Sequence, residues 1–375
     1  GSINKIKEQG LNAANTQVME IASWLTDVHG PRLSGSPNIQ KAGEWAVAEM
    51  KKWGLVNVAL EPWDNNRNFT RGWSNDKFYL ASVSPQAFPI PGTPSAWTPG
   101  TNGLIRGEAI LITETAEADL QKYAGKLKGK FVLGSAPPDV AAWWTPPATR
   151  STVEELVPRE TRVTPEFGVN PPGGRGGGGR GAPQAAPGGR QGGAGAPAAP
   201  PFNRNQFFLK EGVVAIFSTS ARGHGIYTIG GSRTNDPAAT LPAITIPAEQ
   251  YGQIARTLSK GIPVTLEADI KSTFHPNPTM FNVVGEIRGT DKANELVMLG
   301  AHFDSWHAST GATDNAAGSA AMMEAMRILA VTKVPLRRTV RIGLWNGEEQ
   351  GLNGSAEYVA KHFASRGAPP AAPAG

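Results

Sequence analysis

Apolar residues in the last part of the chain recur in a strand, helix, strand, helix order. The run Leu296–Ala301 is continuously apolar, which predicts a buried strand. Between Asp314 and Lys333, apolar and small residues follow helical spacing and predict a helix that can pack closely on a sheet. Apolar residues then alternate in Thr339–Trp345, which predicts a second strand, and Asn353–Phe363 predicts a second helix. This alternation predicts an α/β sheet.

The amino-terminal part of the chain has a helical pattern of its own. Thr16–His29 reads as an amphipathic helix, and the apolar residues on its predicted buried face are Val18, Ile21, Leu25 and Val28. The turn GPRLSGSPN at residues 30–38 follows, and Gln40–Trp53 predicts a second helix with Gly54 as its C-cap.

The middle of the chain is predicted to be mostly β. Turn residues separate short apolar runs, which are Glu108–Ile112, Lys130–Leu133, Gly212–Phe217 and Ala243–Pro247. One helical stretch is predicted at Ala118–Ala124. The sequence pattern therefore changes from α/β to β and back to α/β along the chain.

Composition limits the class of protein. The 375 residues are enough for two domains, and 39% hydrophobic content is enough for real cores. The absence of Cys excludes disulfides and thiolate metal sites. No apolar run is long enough to span a membrane.

A low-complexity tract lies at Pro171–Pro200. It is rich in Gly, Ala and Pro and buries too little side chain to offset chain entropy, so it is predicted to be a mobile loop. Its arginines and Arg204 contribute four of the net five positive charges. Nucleic-acid binding is one interpretation of such an RGG-like tract, but the lack of interleaved aromatic residues favours a solvated extension. The net charge therefore indicates no particular partner.

Candidate chemistry gathers where the two predicted carboxyl-terminal strands end. His302 follows the first strand, Asp314 opens the helix after it, and Glu348 and Glu349 follow the second strand. Imidazole and carboxylate groups suit a zinc-like cation in a hydrolytic site, and a second carboxylate can take a proton from water. Functional groups in α/β sheets gather at the carboxyl ends of strands, so these side chains are expected to meet.

Each residue also has a simpler interpretation. A single His after a strand is usually a satisfied core or turn residue. Asp314 alone is most simply a helix N-cap, and the pair Glu348 and Glu349 could be a solvated first turn. Adjacent carboxylates repel each other, however, and cation binding explains all four residues together.

Three segments carry a resemblance to a known family. HFDSW at residues 302–306, GATDN at 311–315 and GEEQGLNGS at 347–355 resemble the di-zinc exopeptidases of the aminopeptidase and glutamate carboxypeptidase superfamily. Within it, the chain is most similar to the carboxypeptidase Q (plasma glutamate carboxypeptidase) family. The helix, PRLSGS turn and helix at the amino terminus also resemble the start of such enzymes.

The resemblance implies a role for each candidate residue. His302 would ligate one of two Zn²⁺ ions, Asp314 would bridge both, and Glu349 would be a terminal ligand. Glu348 would be the catalytic general base. Asp304, the second residue expected to serve catalysis, would hold the imidazole of His302.

Three further features are expected near these motifs. The resemblance implies that the peptide bond between Asp314 and Asn315 is cis. Because Trp306 lies beside the candidate residues in sequence, it is expected in the wall of the substrate pocket. Similar proteins usually carry Asp at the position of His307, which is expected to have a substrate-pocket or surface role rather than to bind metal.

The resemblance also predicts the domain organisation. Residues 1–62 and 270–375 would form a partial di-zinc exopeptidase sheet flanked by helices, which is an α/β fold. Residues 63–269 would be an inserted, mostly-β protease-associated domain that contains the loop 171–200. In similar enzymes the insert covers the cleft and limits substrate size.

The expected function is a zinc-dependent exopeptidase that acts on short peptides or dipeptides. The alternative from another class is a receptor-like or binding homologue without catalysis, but such members lose metal residues. Glutaminyl cyclase on a related core is disfavoured by the insert.

Partners and location are also expected from the resemblance. The expected partners are a short peptide substrate, a carboxyl-terminal fragment of the same enzyme and a second copy in a homodimer, with no nucleic acid or membrane. A periplasmic or secreted location is expected. The remaining metal ligands are expected beyond Gly375, so the chain alone is expected to lack a complete site.

Overall fold

The chain folds into a mixed α/β structure with two sheets flanked by helices. The computed structural model describes residues 1–64, 69, 71–145, 150–154, 202–226, 228–232 and 236–364. The described α-helices are α1 Ser2–Leu11, α2 Val18–Ser23, α3 Pro37–Lys52, α4 Glu117–Leu120, α5 Arg204–Lys210, α6 Ala248–Leu258, α7 Ala317–Thr332 and α8 Asn353–His362. Shorter 3₁₀ turns are Gln121–Tyr123 and Pro237–Ala239, and π turns are Trp24–Val28 and Ala312–Ala316.

The described strands belong to a four-stranded and an eight-stranded sheet. They are β1 Val56–Pro62, β2 Arg71–Ser84, β3 Phe88–Pro89, β4 Thr93–Pro94, β5 Ile105–Leu111, β6 Phe131–Leu133, β7 Ala215–Ser218, β8 Ala243–Thr245, β9 Thr265–Pro276, β10 Phe281–Ile287, β11 Lys292–His302 and β12 Arg338–Trp345. The smaller sheet has the order β1-β10-β12-β11, and the larger one β3-β2-β9-β5-β6-β7-β8-β4.

Both strands and both helices predicted for the carboxyl-terminal part are present as β11, α7, β12 and α8. β11 and β12 are parallel, whereas β10 and β12 are antiparallel. Helices α2, α3 and α7 share one buried apolar cluster with β10 and β12. The parallel pairing of β11 with β12 places the carboxyl ends of these two strands at one edge of the sheet.

The prediction that Leu296–Ala301 is a buried strand is half correct. The segment is a strand, but none of its residues is fully buried, and Val297 is 44% exposed. In the described part of the chain, β11 is an edge strand with β12 as its neighbour. An apolar run alone does not distinguish a central strand from an edge strand, and this explains the error.

The eight-stranded sheet contains every strand predicted for the middle of the chain, as β5 to β8. These four strands are parallel, and the long antiparallel pair β2 and β9 adjoins them. The sheet has its own apolar core, separate from that of the smaller sheet. The interpretation of this region as a protease-associated domain stays a prediction, and the tract 171–200 lies outside the described residues.

The first amphipathic segment differs from a regular helix. Ile21 and Leu25 are buried as predicted, but Val28 is 55% exposed, so its predicted place on the buried face is wrong. The segment ends in the π turn Trp24–Val28, whose hydrogen bonds span five residues instead of four. The wider turn changes which side chains face the core, and Thr26 is buried there instead.

The second amino-terminal helix begins earlier than predicted. Helix α3 starts at Pro37 because Ser36 caps it, accepting a hydrogen bond from the backbone N–H of Ile39 at 3.4 Å. It ends as predicted before Gly54, which has a positive φ of 88°. None of the helices in the described ranges is long and apolar enough to cross a membrane.

Candidate metal centre

The candidate residues lie where β11 and β12 end together. His302, the last residue of β11, pairs with Trp345, the last residue of β12. Phe303 N–H donates to the carbonyl of Trp345 at 2.6 Å, which holds the two chain segments together just past the strands. The sequence prediction that His302 and the Glu348 region lie on the same side of the sheet is confirmed.

His302 is surrounded by carboxylates. Its Nε2 lies 2.8 Å from Oδ1 of Asp314 and 3.8 Å from Oε2 of Glu348. Its Nδ1 lies 3.1 Å from the backbone oxygen of Asp304. The hydroxyl of Ser319 on α7 donates to the carbonyl of His302 at 2.8 Å, so the backbone of this residue is also held. The imidazole is thereby fixed with Nε2 toward the acidic side chains.

Asp314 lies before helix α7 rather than capping it. Its φ and ψ of −124° and 93° are not helical, and α7 begins only at Ala317. The capping contact comes from Asn315, whose Oδ1 accepts from Gly318 N–H at 3.1 Å. The N-cap interpretation of Asp314 is therefore wrong, and its side chain is 73% exposed beside His302. The peptide bond between Asp314 and Asn315 is cis, as predicted.

Asp304 is fully buried and organises the Glu348–Glu349 turn. Its Oδ1 accepts the backbone N–H of Glu348 at 3.1 Å, and its Oδ2 accepts that of Glu349 at 3.2 Å. The Asp304 carboxylate is 3.7 Å from Nδ1 of His302, so it acts on the imidazole through charge while its backbone oxygen makes the closer contact. Because one carboxylate accepts from two successive residues, it sets the direction of the turn.

The electrostatics of the site reflect an excess of acids. Burial by itself lowers the pKa of the His302 imidazole, but the surrounding carboxylates, Asp304 foremost, raise that pKa to about 9. Burial, followed by the charges of Asp314 and Asp304, raises the pKa of Glu349 to about 7. Burial also raises the pKa of Glu348, while the charge of His302 opposes the shift. A cation at this edge of the sheet would relieve the repulsion among the carboxylates.

The donor types fit a zinc-like cation in their chemistry, since they are one imidazole and several carboxylates. Their arrangement does not by itself form a ligand cluster. Across the residues that the structure describes, no group of three or more His, Asp or Glu side chains is arranged to hold a metal ion. The roles of His302, Asp314 and Glu349 as ligands therefore stay predictions.

Trp306 and His307 join the site to the second sheet. The ring of Trp306 meets that of Trp97 edge-on with centroids 5.9 Å apart. Nε2 of His307 donates to the carbonyl of Pro94 at 2.6 Å, and its ring meets Trp73 edge-on at 5.1 Å. Burial lowers the pKa of His307. His307 is thus partly buried against β2 and β4 of the eight-stranded sheet, and its role stays a prediction.

Two polar residues beneath the site were not predicted. Arg32 and Ser34, both fully buried, contact the segments that carry His302 and the Glu348–Glu349 turn. The sequence offered one signal, which is a charged residue and a hydroxyl on either side of the apolar Leu33 in the PRLSGS turn. That signal does not identify their partners.

The raised pKa of Glu349 predicts a pH dependence of stability in protein treated with a chelator. The folded pKa of about 7 exceeds the ordinary 4.5, so the unfolded chain releases this proton first. The stabilising contribution is complete below about pH 4.5 and is lost as pH rises through about 7. Urea denaturation between these pH values should show stability falling with pH less steeply in Glu349→Gln than in the unmodified protein. Glu117→Gln, at an exposed position of α4, should leave the slope unchanged. The same dependence of stability on pH in all three proteins would contradict the raised pKa of Glu349.

The segment that contains this site is similar to a peptidase family. Residues 282–369 match the model of peptidase family M28. The matched range begins in β10 and includes His302, Asp314, Glu348 and Glu349.

Curated relatives extend the similarity to most of the chain. Carboxypeptidase Q of Mus musculus is 26% identical over 343 residues, which are 91% of this chain and 60% of that protein. A probable leucine aminopeptidase 2 of Arthroderma benhamiae is 36% identical over 146 residues, which are 39% of this chain and 28% of that protein. The chain therefore spans less than two thirds of the length of the mouse protein that it matches.

One solved structure supports the fold. The peptidase M28 precursor from Shewanella amazonensis superposes with a TM-score of 0.59 at 22% identity, covering 96% of this chain and 70% of that one. At this identity the similarity concerns the fold, and it agrees with the predicted α/β class.

Proposed function

We propose that this chain carries the metal-binding part of a zinc-dependent exopeptidase that hydrolyses short peptides or dipeptides. The observation that carries the proposal is the meeting of His302, Asp314 and Glu348 at the carboxyl ends of two adjacent parallel strands. The match of this segment to peptidase family M28 and the similarity to carboxypeptidase Q support it.

The proposed zinc ligands of this chain are His302, Asp314 and Glu349, with two Zn²⁺ ions in the complete site. Bound zinc would polarise the substrate carbonyl and make water acidic enough to lose a proton near neutral pH. The residues contribute donors of the type that such sites use, with His302 at the end of β11 and the two acids on the segments that follow β11 and β12. The buried Asp304 would keep the Glu348–Glu349 turn in place through the two backbone amides that it accepts.

Glu348 is the proposed general base. Its side chain is 35% exposed, so a water molecule and a substrate can reach it. Burial raises its pKa above the ordinary range, which brings its proton affinity closer to that useful at neutral pH. In the proposed reaction Glu348 takes a proton from the attacking water and later delivers it to the leaving amine.

The region of the second sheet is proposed to limit the size of the substrate. Trp97 packs on Trp306, and the carbonyl of Pro94 accepts from His307, so this region lies against the segment that follows Asp304. In the proposal, this contact places β4 and the segment that follows it near the bound peptide.

The protein is proposed to act as a secreted or periplasmic enzyme. Its substrates would be short peptides, without a nucleic-acid or membrane partner. A second copy in a homodimer belongs to the same proposal.

A dipeptide panel tests the proposal. The intact protein should hydrolyse at least one dipeptide, lose this activity with a chelator and regain it with added zinc. Zinc binding without hydrolysis of any peptide would favour the non-catalytic binding alternative. Hydrolysis that is insensitive to a chelator would overturn the metal assignment.

A further inference from the structure

The turn that precedes α3 lies directly beneath the candidate metal centre. Arg32 and Ser34 are both 0% exposed, while Leu33 between them belongs to an apolar cluster with Trp73 and Trp97. Burying a guanidinium and a hydroxyl costs free energy unless each is well hydrogen-bonded. The partners of these two side chains therefore indicate what the turn stabilises.

Ser34 holds the segment that leads to the two glutamates. Its hydroxyl oxygen accepts the backbone N–H of Gly347 at 3.1 Å. The same hydroxyl lies 2.7 Å from Oδ1 of Asn346 and 3.1 Å from Oδ2 of Asp304. Asp304 in turn accepts the next two backbone amides of the turn. Three successive N–H groups are thus held by Ser34 and Asp304 together.

Arg32 holds the segments that carry the other two candidate ligands. Its Nε donates to the carbonyl of Phe303 at 2.8 Å, one residue after His302. Its two terminal nitrogens donate to the carbonyls of Thr310 and Gly311, each at 3.1 Å, a few residues before Asp314. A planar guanidinium can meet several carbonyls in fixed directions at once, which a lysine cannot.

We propose that Ser34 and Arg32 are positioning residues of the metal centre. Ser34 sets the Glu348–Glu349 turn, and Arg32 sets the loop that leads to Asp314. The inference rests on the proposed function for its catalytic consequence, but the positions of the two segments can be measured without catalysis.

Ser34→Ala and Ser36→Ala form a matched pair of variants. Both serines lie in the same turn and each accepts one backbone N–H, but Ser34 accepts that of Gly347 whereas Ser36 accepts that of Ile39 in α3. In Ser34→Ala, zinc affinity and kcat/KM of the intact protein should fall about tenfold, the lower end of the usual range for residues that support metal ligands. In Ser36→Ala, the Tm should fall while zinc affinity stays unchanged.

Hydrogen exchange separates the two proposals. A peptide spanning residues 346–352 should exchange faster in Ser34→Ala with or without zinc, and it should not in Ser36→Ala. Slow exchange of this peptide in Ser34→Ala would overturn the positioning role, even if the enzyme is active. If the unmodified protein binds no zinc and the 346–352 peptide still exchanges faster in Ser34→Ala, the proposed function is wrong, but Ser34 still holds the turn.

Two further variants cover a failure of Ser34→Ala to fold. Ser34→Cys keeps the shape of the side chain but has a weaker hydrogen-bonding group. Its zinc affinity should fall less than in Ser34→Ala, and its 346–352 peptide should exchange faster by a smaller factor. Arg32→Lys keeps the positive charge but loses the planar guanidinium that meets several carbonyls at once. Residues 308–316 should therefore exchange faster, and zinc affinity should fall about 10- to 100-fold. Unchanged exchange and affinity in both variants would refute the inference.

Discussion

Glu348→Gln should reduce peptide hydrolysis by the intact protein about 100- to 10,000-fold, the usual contribution of a general base. Glutamine has nearly the same shape but cannot accept the proton from water. The backbone N–H of residue 348 would still bind Asp304, so the turn should keep its position. Zinc affinity, measured by calorimetry, should stay within a few-fold of that of the unmodified protein.

The neighbouring Glu349→Gln is the matched control for this prediction. Glu349 is a proposed ligand, so its loss should weaken zinc binding, and excess zinc should restore part of the activity. Excess zinc should restore none of it in Glu348→Gln. If the two variants behave in the opposite way, the roles of the adjacent glutamates are exchanged.

Asp304→Asn should lower both zinc affinity and kcat/KM about 10- to 100-fold, as is usual for groups that support metal ligands. An asparagine side chain has one oxygen, whereas the Glu348 and Glu349 amides each need an acceptor. One of these buried N–H groups would face the NH₂ group instead. The loss of charge would also lower the pKa of His302, which Asp304 raises.

Asp291→Asn is the control for this change. Asp291 lies just before the opposite end of β11 and pairs with the exposed Arg337 there. Its substitution should leave zinc affinity and turnover unaltered. Normal zinc affinity and normal exchange of the 346–352 peptide in Asp304→Asn would show that the carboxylate has no positioning role.

The regular elements could be predicted because their signals are local. The alternating residues of β12 and the helical spacing in α7 each arise within one short segment. The meeting of His302 with the Glu348 region also followed from sequence, since parallel strands end at the same edge.

Features that depend on distant residues could not be predicted in the same way. The apolar run of β11 has the composition of a buried strand, although its neighbours leave Val297 exposed. Asp314 has the residue type of an N-cap, but the backbone beside it gives that role to Asn315. The partners of Ser34 lie 270 and more residues away, so no local pattern could identify them.

The long stretch of chain between Ser34 and Gly347 affects the order of folding. The hydrogen bond from Gly347 N–H to the Ser34 hydroxyl closes a loop of 313 residues. Contacts between such distant residues form late, because the chain must first lose the entropy of the intervening loop. The eight-stranded sheet lies within that loop, and the pairing of β2 with β9 brings Arg71 and Pro276 together, which shortens the chain that remains to be closed. We therefore expect that sheet to act as a folding scaffold, with the Glu348–Glu349 turn reaching its final geometry only after β2 and β9 have paired.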